Sequence, residues 1–186
     1  MPSLQVKLDI DPVLRSLDRL GIQLAEKAIT RSLKRTINSV KVDASRKVRA
    51  ELNIKAKRVN QALAVRRVHK GALQAELAIR SQPVPLSRYG ARQTARGVSV
   101  KIKRQGGRKV LRGTFLAMTK SGHVGVFARR GAARLPIGGP KRRQDQFYST
   151  SVAQFLDDER VLNQIGEAAQ DRFIKELSSQ VDFLLR

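Results

Sequence analysis

The hydrophobic periodicity of this 186-residue chain predicts an α+β fold, in which a long N-terminal helix and a C-terminal helix pack on a mostly antiparallel sheet with long basic loops. Near both ends apolar residues recur at spacings of three and four, the period of a helix with one buried stripe. Through the middle they alternate singly, the period of a strand with one buried face. Charge divides the chain in the same places. The formal net charge is +23, yet no acidic residue lies between Glu76 and Asp145, where seventeen Lys and Arg run from Arg80 to Arg143.

The first element reads as a strand, because Leu4, Val6, Leu8 and Ile10 alternate with Gln5, Lys7 and Asp9. Asp11-Pro12 then opens a helix. Asp is a good N-cap, and Pro at the first helical position loses nothing, since its missing N–H would have had no intrahelical partner. Leu14, Leu17, Leu20, Leu24, Ala28 and Ile29 form the stripe, and Val40, Ala44, Val48 and Leu52 extend it. One very long helix or two in line is expected, with bends at Gly21 or in the β-branched cluster Thr36 to Val42. Asn53 is placed as the cap of a shorter helix ending near Ala62. The early Lys55, Lys57 and Arg58 oppose the dipole of that helix, which leaves an anionic neighbour or ordinary solvated cations as its two readings.

Strands are then expected at Ala64–Val68, Leu73–Ile79, Val98–Ile102, Val110–Met118 and His123–Phe127. Gly106-Gly107 and Ser121-Gly122 supply tight hairpin turns, where Gly takes positive φ without steric cost. Gln82 to Arg96 has no periodicity and reads as a long loop, mobile in the free subunit; Arg129 to Arg143 is a second one. In the C-terminal part Val161, Ile165, Ala169, Phe173, Leu177 and Val181 recur every four residues, with Leu162 and Leu184 widening the face. Asp157-Asp158-Glu159 stand where a helix N-terminus welcomes negative charge. The chain therefore reads as a single domain over 1–186. Its N-terminal strand and helices occupy 1–62, a basic β region 63–137 with the loop 82–96, a basic linker 138–156 and the C-terminal helix 157–186.

Composition narrows the function. An apolar content of 41% supports a packed core rather than a disordered basic tail. Such a positive field is normally kept because a polyanion or an acidic protein surface neutralises it, so nucleic acid is the first partner expected. Aromatic residues make up 4% and there is no Trp, which disfavours stacking of single-stranded bases and favours duplex DNA held through its phosphates. The absence of Cys excludes thiolate metal sites, redox pairs and disulfides. No apolar run approaches about 18 residues, and neither a signal peptide nor a membrane span is expected. The basic middle and the net acidic C-terminal block, with Asp157, Asp158, Glu159, Glu167 and Asp171, invite head-to-tail association, which closes into a ring when the rotation allows it.

Catalytic chemistry is scarce. His69 and His123 lack the spacing of a metal helix, and adjacent carboxylates at Asp157 to Glu159 do not face one point. Gly106-Gly107-Arg108-Lys109 has no phosphate-loop spacing and reads as a hairpin turn; Ser149, Thr150 and Ser151 have no nearby base. A non-enzyme without cofactor or metal is expected. The candidate contact residues are Arg88, Arg92, Arg96, Arg129, Arg130, Lys141, Arg142 and Arg143. Arginine pairs bidentately with phosphate and with carboxylate alike, so DNA and an acidic protein face both remain open as partners. No helix-turn-helix, zinc finger or RNA-recognition signature is present, and any DNA contact is expected to ignore sequence.

One stretch resembles a known family. The strand Thr114-Phe115-Leu116-Ala117-Met118 leads into Ser121-Gly122-His123-Val124-Gly125-Val126-Phe127-Ala128-Arg129-Arg130-Gly131, and then Ala133-Arg134-Leu135-Pro136-Ile137. This order is similar to that of the phage minor tail protein Z family, with Ser121, Gly122, His123, Gly125, Phe127, Arg134, Leu135, Pro136 and Ile137 as the motif positions. The resemblance spans roughly residues 10–160. The chain departs from the family pattern where Gly138-Gly139-Pro140-Lys141-Arg142-Arg143 precedes Tyr148-Ser149-Thr150-Ser151-Val152. The resemblance implies a virion component of tailed phages, assembled in the host cytoplasm: a tail-completion protein at the head-proximal end of the tail. Its implied partners are further copies of itself in a cyclic, commonly six-fold ring, the tail terminator, tail tube or neck proteins, and the phage DNA that traverses the channel. The rival reading is a sequence-independent DNA-binding protein acting alone.

Overall fold

A computed structural model describes residues 3–4, 21–69, 74–128 and 146–185. Strand β1 (Ser3–Leu4) is the described part of the expected first strand, and residues 5–20, including the Asp11-Pro12 helix start, lie outside the described residues. Helix α1 (Ile22–Glu51) then runs for 30 residues without a break. Gly21 flanks its N-terminus with φ 71°, a conformation that a Cβ would strain, and the expected bend there involves residues outside the described ones. The β-branched cluster does not interrupt the helix. Thr36, Ile37 and Val40 are buried, and tertiary packing of that stripe outweighs the crowding of their rotamers.

Helix α2 (Ala56–Ala62) is capped by the backbone of Lys55, not by Asn53. Asn53 instead ties two segments together, since its Nδ2 donates to the Lys101 carbonyl at 3.1 Å and its backbone N–H to the Ile102 carbonyl. With Arg104 N–H bonded to the Glu51 carbonyl, these contacts hold the end of α1 against the stretch 101–104.

The β elements are β2 (Leu63–His69), β3 (Gln74–Ile79), β4 (Val84–Pro85), β5 (Arg92–Thr94), β6 (Gly97–Val100), β7 (Lys109–Arg112), β8 (Thr114–Met118), β9 (Val124–Ala128) and β10 (Tyr148–Ser149). Instead of one sheet, the described residues form four small antiparallel ones, in the orders β1-β3-β2, β10-β4, β5-β6-β7 and β8-β9. The single strand expected at Val110–Met118 is two, because Gly113 takes φ 71° between β7 and β8. The expected loop 82–96 is also built. Val84 and Pro85 pair with Ser149 and Tyr148, a 3₁₀ turn follows at Leu86–Arg88, and Val84, Leu86 and Tyr89 are buried. Those apolar anchors are too irregularly spaced to show a period, yet their burial offsets the ordering entropy of the basic residues between them.

Where a linker was expected, the described residues contain β10 and helix α3 (Val152–Leu156). Ser151 caps α3 with a full capping box to Gln154. Helix α4 (Glu159–Leu185) follows, and Asp158 Oδ1 accepts from Arg160 N–H at 2.9 Å, so the acidic run serves the helix start.

Helices α1 and α4 are antiparallel, as the pairs Arg35–Glu176 and Asp43–Arg172, both at 3.0 Å, and Lys47–Gln164 require. Their seam spans two apolar clusters. Ala28, Ile29 and Leu33 meet Phe173, Leu177 and Val181 in one. Ile37, Val40, Ala44 and Val48 join Ile165, Ala169, α3 and the strands in the other. The acidic C-terminal block is thus partly neutralised within the chain, and its helix is core rather than an attachable arm. Phe173 is 1% exposed. Phe173→Ala should cost about 3–5 kcal/mol, read as a lower denaturation midpoint at unchanged slope, whereas removing α4 altogether should abolish cooperative unfolding.

Candidate partner-binding surface

The sheet β5-β6-β7 has two unlike faces, and register assigns each residue to one of them. Gln93, Val98 and Leu111 are directly opposed, as are Val100 and Lys109. Val98 and Val100 are fully buried, so this face looks inward. Arg92, Ser99 and Val110 form the adjacent row, and Thr94, Gly97 and Arg112 the next on the same side; these look outward. The close approach of β6 and β7 depends on Gly97, where φ is 140° and a Cβ would overlap the Leu111 carbonyl oxygen. The Arg96 turn follows from that fit.

Arg108 fixes this surface. Its Nε donates to Ser99 Oγ at 2.9 Å, and its Nη2 to the carbonyls of Ser99 at 2.8 Å and Gly90 at 2.6 Å. Gly90 reaches that position with φ 61°, directly after the anchor Tyr89. The guanidinium therefore pins the segment that carries Arg88 and Arg92. Both are exposed, as is Arg96, and none of the three side chains makes an ion pair or hydrogen bond among the described residues. Arg129, Arg130, Lys141, Arg142 and Arg143 lie outside the described residues. Arg108 and Arg112 did not emerge from the sequence as contact residues. Alternation of 108, 110 and 112 after the Gly106-Gly107 turn is the signal that places them beside Arg92.

The motif residues form a second, polar construction. Ser121-Gly122 closes the β8–β9 hairpin, with Gly122 at φ 76° and Thr119 bonded to His123 through backbone and side chain. Phe127 packs against its cross-strand partner Phe115, ring centroids 6.2 Å apart. Gly125 leaves room for that ring: a Cβ there would fall 2.7 Å from Phe127 Cζ and 2.9 Å from Gln146 Nε2. Gln146 in turn contacts His123 Nε2 at 3.1 Å and accepts from the Tyr148 hydroxyl at 2.9 Å. The motif thus holds β9 to the strand that follows it in the fold. Arg134, Leu135, Pro136 and Ile137 lie outside the described residues. Among the described residues no three His, Asp or Glu side chains are placed to hold a metal ion, and no helix is long and apolar enough to cross a membrane.

A family model described as prophage minor tail protein Z matches residues 9–186. No curated protein and no solved structure matches the chain. The match covers nearly all of the sequence and extends through α4, and the chain belongs to that family; it is a phage minor tail protein, a component of the virion.

Tyr89 anchors the arginine-bearing segment and is fully buried. Burial raises its phenol above the ordinary 10.0; the Ser149 side chain opposes this, though the pair stops short of full hydrogen-bond geometry. Because the folded-state value is the higher one, the neutral phenol contributes stability that is whole below pH 10.0 and is lost as pH rises through the raised value. Melting temperature should therefore fall more steeply above pH 10.0 in the native protein than in Tyr89→Phe, measured side by side.

Proposed function

We propose that this member of the prophage minor tail protein Z family forms a cyclic homo-oligomer, six-fold in symmetry, at the head-proximal end of the tail. There the ring completes the tail and joins it to the neck around the channel that the genome crosses. The whole chain acts as one tail-completion domain with a structural, non-catalytic role. Its neighbours are the tail terminator, tail tube or neck proteins, and phage DNA is contacted without regard to sequence.

The observation that carries this reading is the unneutralised arginine surface. On the helices Asp43 and Glu176 pair with Arg172 and Arg35, while the only charged side chains in the sequence between residues 77 and 144 are cations. Copies placed around an axis can point those surfaces at a shared polyanion, which removes the self-repulsion that a field of this size otherwise imposes. A genome that slides requires contacts to phosphate and not to base edges, and arginine on a rigid sheet provides them. The residues assigned to that path or to the adjoining proteins are Arg88, Arg92, Arg96, Arg129, Arg130, Lys141, Arg142 and Arg143.

The test is assembly. Tails made without this protein should fail to join filled heads and should lack density at their upper end in electron micrographs. Adding purified protein, with a native mass of six subunits or a reversible equilibrium toward it, should restore both. Complete, head-joining tails in its absence would overturn the proposal.

A further inference from the structure

We infer that Arg108, with Arg92 beside it, forms a preorganised binding site for the phosphodiester group of nucleic acid on the outer face of the β5-β6-β7 sheet. Arg108 commits its Nε and Nη2 donors to Ser99 and Gly90. Its Nη1 has no partner among the described residues, so the donors left over are held in a fixed direction. An arginine whose stem and one edge are already immobilised loses little entropy when an anion meets the other edge. Arg92 lies directly across from Ser99, the residue that Arg108 grips, which brings two guanidinium groups to one row of the sheet. Among the described residues neither guanidinium is paired with a carboxylate, so an external anion would relieve their mutual repulsion.

The rest of the face extends the site. Arg112 stands opposite Gly97, in a row about 7 Å along the strand from that of Ser99 and on the same side. Repeated cations along a strand suit a repeating anion better than a single carboxylate. Among the described residues the outer face of these strands holds one large apolar side chain, Val110, which gives a protein partner little to bury and disfavours an acidic protein as the occupant.

This inference rests on the proposed approach of the genome to the arginine surface, and its test is independent of ring formation. The full chain is titrated with inorganic phosphate and, separately, with a mixed-sequence DNA duplex, while the arginine Nε–H resonances are followed by NMR. Saturable shifts at Arg108 and Arg92 are expected with both probes. Arg108→Lys keeps the charge and loses the fork, and should weaken duplex binding about tenfold. Arg92→Gln changes an exposed side chain that makes no bond to any described residue; it should lower the log–log salt slope of duplex binding by about 0.9 at unchanged melting temperature, which decides the matter if the Arg108 variant folds poorly. Shifts with phosphate but none with duplex would overturn the nucleic-acid assignment in favour of a free anion. Duplex binding that spares both resonances, or a salt slope unchanged in Arg92→Gln, would overturn the site while leaving tail assembly as it stands. A protein that fails to complete tails yet shows these shifts would retain the site and lose the ring.

Discussion

The buried stripe of α1 is the constraint on which the remaining architecture rests. A single 30-residue helix supplies both apolar clusters, meeting α4 along most of its length and the strands along its second half. None of the four small sheets is large enough to stand alone, since two or three short strands need a hydrophobic partner to be stable. They acquire one by folding against this helix and its continuation, where Leu52 and Ile54 enter the same cluster. Small side chains let the seam close: Ala28, Ser32 and Ala44 are completely buried, and even the Thr36 side chain lies within the packing. Among the described residues the hydroxyls of Ser32 and Thr36 have no hydrogen-bond partner, a cost that the surrounding apolar burial has to exceed.

Electrostatics follows from that packing. Surface ion pairs such as Arg35–Glu176 contribute at most about 1 kcal/mol each, so they decide alignment of the helices more than they decide stability. Their main effect is on what remains. Among the described residues no carboxylate pairs with the outer face of β5-β6-β7, and Arg108 there is ordered by hydrogen bonds to backbone carbonyls. A carbonyl orients a guanidinium without neutralising it. That is the physical difference between a structural arginine and one that can still receive an anion, and Arg108 is both.

Much of this was legible in the residues. The two helices, the β8–β9 hairpin and the family itself follow from periodicity and from the Ser121 to Phe127 run, because each is a local signal repeated several times. What escaped has a common origin in single, non-periodic contacts. Tyr89 and Leu86 convert an apparent loop into packed structure through burial that no spacing rule anticipates. Gly113 divides a continuous apolar alternation because only backbone geometry distinguishes it from a strand glycine. Asn53, an excellent cap by composition, is drawn away by the carbonyl of Lys101, which is 48 residues distant in sequence. Arg108 was readable as a turn residue and becomes the organiser of a surface only when Ser99 and Gly90 are brought to it by the sheet.

The choice of arginine for that surface has a consequence of its own. Guanidinium groups stay protonated throughout the range in which proteins remain folded, and the described part of the outer face, Arg92, Arg108 and Arg112, contains no histidine or carboxylate that could titrate against them. Acidity therefore has no purchase on this field. Dissolved ions do, since they screen charges over a distance set by their concentration. A particle built with such a surface would sense the salinity of its surroundings and the counterions packed with its cargo, while remaining indifferent to the pH of the compartment through which it passes.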